Sequence, residues 1–393
     1  MKILAIDIGT GTQDIFLYDP RLDIENGYKM VVPSPTLQVN RRLRQAARDG
    51  RSVVLTGCLM GGGPSTWGVD QLLKSGQTVY ASPDAARSLN DDLAVVRQMG
   101  VTLVSDDEVA ALPEQVQRIT LRDFDFQAIA RGFEQFGVPL DDLGAVAIGV
   151  FDHGNAPAGI SDRQFRFDYL DRRIRTGNAA QTESALRNPA DVLSCFAFLR
   201  EKIPPVMTRL MAVADSAAGV DAPLVVMDTA PAAVWGASFD EKIRQCRHNI
   251  LVNIGNMHTL AFRLGPQGVE GLFEHHTGFL DAVTLDGLVR SLADGTIKHA
   301  DVFDQHGHGA LMYTDQPFDL SDDFGVSITG PRRGLMAGST LVPYYPAPFG
   351  DMMLAGCFGL LAAVGQLLPD WRAEIGRSLM NEPVQRAPWD LPL

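Results

Sequence analysis

Cysteine is scarce in this sequence. The four that occur, Cys58, Cys195, Cys246 and Cys357, stand far apart, with no C-x-x-C pair and no closely spaced triplet. That spacing excludes a disulfide framework, a zinc ribbon and an iron–sulfur cradle, and fits a reducing, cytoplasmic compartment. Positive charge is also short: 34 Lys and Arg stand against 47 Asp and Glu, a formal charge of −13. Such a surface repels phosphate backbones and anionic lipid, so neither nucleic acid nor membrane is expected as a partner. The longest apolar stretch, Met352 to Leu368, is interrupted by Gly356, Gly359, Gly365 and Gln366 and reads as a buried helix rather than a span. An acid at Asp7 stands where a signal peptide would still be apolar.

What remains is ordinary globular composition, 46% apolar and 21% charged, with 38 Gly and 23 Pro in 393 residues. At about 150 residues per domain, that length calls for two domains with room for an insertion.

The hydrophobic periodicity alternates between strand and helix. Ile3 to Ile8 and Asp14 to Tyr18 read as strands joined by Gly9-Thr10-Gly11-Thr12, with Tyr28 to Val32 as a third strand. Leu37 to Arg48 reads as a helix, and Ser52 to Thr56 as a strand leading into Gly61-Gly62-Gly63-Pro64. A helix is expected from Ser82-Pro83 to Gly100, then strands at Val101 to Val104 and Arg118 to Leu121. Ala145 to Val150 has the continuous apolar character of a fully covered strand and ends at Phe151-Asp152-His153-Gly154-Asn155. Polar side chains just past such a strand end are where α/β proteins place ligands. Ser161 to Gly177 reads as an irregular, arginine-bearing segment, and Asp191 to Ile203 and Val206 to Ala218 as helices. Leu224 to Met227 and Asn249 to Asn253 are expected strands, with a short helix at Ala232 to Ala237 between them.

Lys2 to Tyr18 and Asn249 to Leu264 share one pattern: an apolar strand, an Asp or Asn, a glycine turn with Thr, then a second apolar strand. The repetition suggests two domains of one design facing each other. The boundaries are 1–238 for a first domain with an insertion, 248–345 for a second, and 350–393 for C-terminal helices, the main one near 350–368, returning to the first.

Four segments in order resemble the actin, sugar kinase and heat-shock chaperone ATPase (ASKHA) superfamily. Asp7-Ile8-Gly9-Thr10-Gly11-Thr12 is similar to its first phosphate hairpin, and Asp228-Thr229-Ala230-Pro231-Ala232-Ala233 to its first connecting helix. Asn253-Ile254-Gly255-Asn256-Met257-His258-Thr259 stands at the second phosphate hairpin. Ile328-Thr329-Gly330-Pro331-Arg332-Arg333-Gly334 looks like the adenosine motif, with Ala355 to Gly359 where the second connecting helix belongs. The chain also resembles a prokaryotic family labelled pyruvate formate-lyase activating enzyme, in part through Glu274-His275-His276-Thr277-Gly278 and His306-Gly307-His308-Gly309. The isolated cysteines do not supply the thiolate triplet that a radical activating enzyme needs.

The superfamily resemblance implies an α/β fold of two similar actin-like ATPase (ribonuclease H-like) domains, with mixed sheets flanked by helices and a cleft between them. It implies ATP and Mg2+ as cofactors. Asp7 is then a metal-holding and catalytic acid, and Gly9, Thr10, Gly11, Thr12, Asn253, Gly255 and Thr259 are the phosphate contacts. Gly330 and Arg332 stand beside the adenine.

The residue chemistry agrees independently. Glycines let backbone N–H groups approach phosphate oxygens, threonine hydroxyls add donors, and an acid holds Mg2+. A plain tight hairpin, capped by its own polar side chains, is the competing reading. Asn253 replaces the acid usual in the second hairpin, Asn256-Met257 replace two glycines, and Gln13-Asp14 follow the first hairpin where sugar kinases often place a base.

Asp152 and His153, at a strand end, are candidates for a general base with its partner, and Asp152 for a metal ligand. His275, His276, His306 and His308 lie in similar loop contexts, and imidazole with carboxylate suits a transition metal. Among Arg163, Arg166, Arg172, Arg173 and Arg175, the acids Asp162, Asp168 and Asp171 interleave, so a solvated or partner-docking segment is expected there.

The function expected is an ATP-binding protein with Mg-dependent phosphoryl transfer or hydrolysis toward a small-molecule or protein acceptor. The alternatives are a nucleotide-responsive activator or assembly protein without turnover, and a metal-dependent hydrolase using Asp152 and His153.

Overall fold

The computed structural model describes residues 1–180, 188–320, 325–384 and 386–391. β1 (Lys2–Ile8) is apolar except at Lys2 and Asp7, and every residue after Lys2 is buried. A strand covered on both faces needs such a run. It folds back antiparallel on β2 (Thr12–Tyr18), which pairs with β3 (Tyr28–Pro33).

The chain then leaves this sheet to build a smaller one, entirely parallel. β4 (Val53–Gly57), β5 (Val79–Ala81), β6 (Thr102–Leu103) and β7 (Gln117–Leu121) lie in the order β6-β5-β4-β7. Its own core, with Leu43, Leu55, Leu72 and Ile119 fully buried, is separate from the main one.

β8 (Leu143–Val150) returns to run parallel beside β1, and β9 (Ala197–Leu199) and β10 (Leu224–Asp228) complete the order β3-β2-β1-β8-β10-β9. A second sheet follows from β11 (Asn249–Ile254), β12 (His258–Gly265), β13 (Gly268–His276), β14 (Gly309–Met312) and β15 (Val326–Thr329), ordered β14-β13-β12-β11-β15. Both large sheets contain three antiparallel strands in succession with a further strand parallel to the first of them. This is the actin-like, ribonuclease H-like arrangement, present twice.

The two halves are joined where the helices Thr229–Ala237 and Ala355–Leu367 cross. The crossing is nearly backbone on backbone: a Cβ at Gly236 would overlap the Ala355 carbonyl, and one at Gly359 the Ala232 carbonyl. Small residues here are a packing requirement. The same C-terminal helix is buried over almost its whole length, in one core with β1 and β8.

Four local expectations are overturned. His275 and His276, expected in loops, are the last residues of β13. The segment expected to be irregular from Ser161 is a helix, Asp162–Ala180, with Phe165, Phe167, Tyr169, Leu170 and Ile174 buried. Its exposed side is laced by i,i+4 pairs, Gln164 to Asp168 at 2.8 Å and Arg175 to Asp171 at 2.9 Å. Its buried face includes Arg166, and that charge in an apolar stripe hides the period from the sequence. Asp191 to Ile203 is not a helix; a 3-10 stretch, Pro189–Phe196, leads into β9, which adds an edge to β10. A short apolar run reads equally as either element. The helix expected up to Gly100 is two, Pro83–Arg87 and Leu93–Gln98.

Candidate functional site

A cleft of about 870 Å3 lies between the two large sheets, at the strand ends carrying Asp7, Asp152, Asn253 and Thr329. The first hairpin contributes Gly9, Thr10 and Thr12, the second Gly255 to His258, and Gly330 and Pro331 also line it. The inserted sheet adds Gly61 to Gly63, the loop between β4 and the helix Pro64–Lys74.

The two hairpins are built alike. Gly9 N–H donates to the Thr12 carbonyl at 2.9 Å, and Gly255 N–H to the His258 carbonyl at 2.9 Å. His258 therefore occupies in the second turn the position that Thr12 holds in the first. The turns meet at their tips, where a Cβ on Gly11 would stand 2.5 Å from Asn256 Nδ2. Ser34 steadies the first turn from behind, its hydroxyl donating to the Thr10 carbonyl at 2.6 Å and its N–H to that of Gly11 at 3.1 Å. Gly330 has a φ of +97°, and a Cβ there would stand 2.5 Å from the Ile254 carbonyl oxygen. Only glycine lets that strand end approach so closely.

Asp7 and Asp14 are directly paired across β1 and β2. Burial pushes the Asp7 carboxyl up to about 7, opposed by the Thr229 hydroxyl that donates to it. Burial, with the neighbouring Asp7 charge, pushes Asp14 up to about 8. Asp14 Oδ1 is buried and makes no hydrogen bond among the described residues. Asp14 was legible in sequence only as a missing base after the hairpin; its alternation with Asp7 across the turn was the available signal.

Asp152 is 3% exposed, and its two oxygens accept from backbone N–H groups, Gly154 at 2.8 Å and Leu210 at 2.9 Å. Burial still raises its pKa, with those bonds opposing. Arg209 anchors the same loop, donating to the Phe151 carbonyl at 2.6 Å while paired with Asp123. Of the other expected contacts, Thr259 is buried on the Thr277 hydroxyl at 3.0 Å, and neither it nor Gly11 or Arg332 lines the cleft. Arg332 instead ties the chain through its backbone N–H to the Ile254 carbonyl at 3.0 Å.

The histidines converge in part. His153 and His308 place their Nε2 atoms 3.1 Å apart. Together with His258 they form a group whose candidate ligand atoms all lie within 4.8 Å of one another. His276 stands beside them, its ring centroid 4.7 Å from that of His308. His275 turns away to the His276 carbonyl, and exposed His306 lies against Phe279. Burial lowers the His153 and His258 pKa values well below the usual range and that of His308 to about 2, so these rings are neutral.

Behind the cluster, Arg166 is fully buried. It donates to Asp228, to Glu274 at 3.1 Å and to the Asp152 carbonyl at 2.9 Å. Its guanidinium stacks 4.3 Å from the Phe151 ring, which also stacks on the His258 ring at 4.2 Å. The sequence gives Glu274 and His258 only a place within longer motifs, and Arg166 a place in a solvated or partner-docking segment; nothing local singles them out.

Residues 60–335 match the model of a family described as "Putative pyruvate format-lyase activating enzyme (DUF1786)". The chain belongs to this family. The span shared with the family holds the histidine cluster, the second hairpin and Gly330, whereas the first hairpin lies outside it. No curated protein sequence matches the chain.

Among solved structures, an inorganic polyphosphate/ATP-glucomannokinase from Arthrobacter sp. strain KM is similar at 13% identity, covering 94% of this chain and 99% of its own, with a TM-score of 0.33. The activator of 2-hydroxyisocaproyl-CoA dehydratase from Clostridium difficile, with bound ADPNP, is similar at 10% identity, covering 95% and 98%, with a TM-score of 0.32. A ROK hexokinase from Thermus thermophilus is similar at 12% identity, covering 94% and 100%, with a TM-score of 0.30. The doubled strand order, not these low scores, defines the fold of this family member.

Proposed function

We infer that this family member binds Mg-ATP in the cleft and directs it toward phosphoryl transfer or hydrolysis. The observation that carries this reading is the pair of identically closed glycine hairpins meeting across the cleft. Glycine backbones there leave room for phosphate oxygens, and Thr10 and Thr12 supply hydroxyl donors.

The donor set fits Mg2+. Asp7 and Asp14 bring two carboxylates together, and the unpartnered Asp14 Oδ1 is a buried acceptor of the hard oxygen type that Mg2+ takes. Bound Mg2+ would neutralise phosphate charge in a cleft whose lining holds Asp91, Asp92 and Asp162 as well as Arg87 and Arg209. Gly330 and Pro331 would admit the adenine.

In this reading Asp152 is a positioning residue. Its two oxygens accept from backbone N–H groups on either side, so it holds the His153 loop in place. The same observation, with Asn253 in place of an acid, favours slow turnover. A nucleotide-responsive activator, whose output is closure of the two halves, is therefore the second reading.

Phosphate release under saturating Mg-ATP, with and without candidate acceptors, separates the two. Turnover that falls in Asp7→Asn and in Asp152→Ala supports catalysis; tight binding with negligible turnover supports the activator. Full turnover in both variants would show the assigned roles to be wrong.

A further inference from the structure

We propose that His153, His258 and His308 together bind one divalent transition metal ion of the Zn2+ class, through imidazole nitrogens and with an open position toward the cleft. The proposal is independent of nucleotide binding.

Geometry comes first. The three candidate ligand atoms lie within 4.8 Å of one another, and one pair is already 3.1 Å apart. Three nitrogens at about 2.0–2.1 Å from one tetrahedral ion stand roughly 3.3 Å apart. Closing the remaining distance would require a small adjustment of the rings on binding. The three rings come from separate places, the end of β8, the start of β12 and the loop before β14, so the fold and not a local motif assembles them.

The support behind the rings is the second observation. His308 is fully buried, and its Nδ1 faces Glu274 Oε1 at 3.7 Å; neither atom has a hydrogen-bond partner among the described residues. Buried polar atoms are nearly always satisfied, so two unsatisfied atoms facing each other need an explanation. A hydrogen bond from His153 Nε2–H to His308 Nε2 also leaves the His308 proton on Nδ1, facing Glu274, but it gives the nearby His258 nitrogen no role. A metal on His308 Nε2 sets the same tautomer, with the Nδ1 proton facing Glu274, and uses all three nitrogens. A carboxylate behind a ligating histidine fixes the tautomer and raises ligand basicity. Glu274 is itself held by Arg166. His258 is held by its stack on Phe151, and His153 by the anchored Asp152 loop.

Three imidazoles without a thiolate suit Zn2+, with Fe2+ and Co2+ as close alternatives. His153, His258 and His276 line the cleft, so the side left open meets whatever ligand enters it. An oxygen donor, either water or an anionic oxygen of that ligand, is the fitting fourth partner.

Cobalt tests this directly. The full-length protein, stripped with chelator, is titrated with Co2+ without nucleotide while visible absorption is followed, and Zn2+ is then added in competition. The expected result is one equivalent of Co2+ with ligand-field bands that Zn2+ abolishes. Affinity falls at least about 100-fold in His153→Gln and His258→Gln. It is unchanged in His306→Asn, which alters an exposed neighbour at a φ of 67° that Asn tolerates. Circular dichroism confirms that each variant is folded. Absence of saturable Co2+ binding by the folded wild type, or binding undiminished in both triad variants, would overturn the proposal.

Discussion

His153 and His308 touch through their Nε2 atoms at 3.1 Å, one carried by the strand end of the first large sheet and the other by the second. Both rings are neutral, so the contact is a single hydrogen bond unless an ion replaces its proton.

Arg166 ties the same halves more firmly, binding Asp228 of β10 and Glu274 of β13 from a position with no solvent exposure. Removing one partner of a buried ion pair leaves uncompensated charge and costs about 3–5 kcal/mol. Arg166→Met is expected to lose about that much in urea unfolding. A change under about 1 kcal/mol would show the network to be dispensable.

Gly236 and Gly359 should tolerate no side chain. Each Cβ would collide with a backbone carbonyl of the opposing helix, which cannot rotate away. Gly236→Ala and Gly359→Ala are each expected to cost at least about 1–3 kcal/mol of stability. Gly376→Ala, in an open environment on the helix Arg372–Leu379, is expected to be neutral or stabilising. Thermal melts of the three proteins check the contrast.

The architecture was legible because the strands that build both halves are long, apolar and separated by glycine turns. β1, β8 and β11 read directly as strands for this reason, and the two hairpins announced the repeat. The cleft contacts nearest those turns, Asp7, Gly9, Thr10, Thr12 and Gly255, were legible for the same reason. What stayed hidden depends on distance in sequence. Glu274, His308 and Arg166 meet only after two sheets are packed, and Arg166 disguises its own helix by placing a charge in its buried stripe. The saturated carboxylate of Asp152 was likewise invisible, because its donor Leu210 comes from a helix far along the chain.

Asp7 and Asp14 give the unliganded protein a defined pH response. Both carboxyls are raised, to about 7 and about 8, so the folded state keeps protons that the unfolded chain releases above about pH 4. The unfolded state then binds fewer protons, and their contribution to stability falls as pH rises from about 4 to about 8. Asp14→Asn should flatten that decline relative to wild type, and Mg2+ should restore stability near pH 8 in wild type alone. An unchanged slope in the variant would contradict the pairing.

Gly330→Ala combines a disfavoured φ with a collision against Ile254. Nucleotide affinity is expected to fall at least about tenfold, about 1.4 kcal/mol. Fluorescence titration with a labelled ATP analogue measures it, and unchanged affinity would remove the adenine from this position.

The central claim is nucleotide binding between the hairpins, and isothermal titration of the metal-analysed protein with Mg-ATP tests it most directly. Saturable binding at one site per chain, dependent on Mg2+ and weakened in Asp7→Asn, is the predicted result. No heat of binding up to millimolar nucleotide, with the protein folded, would contradict it.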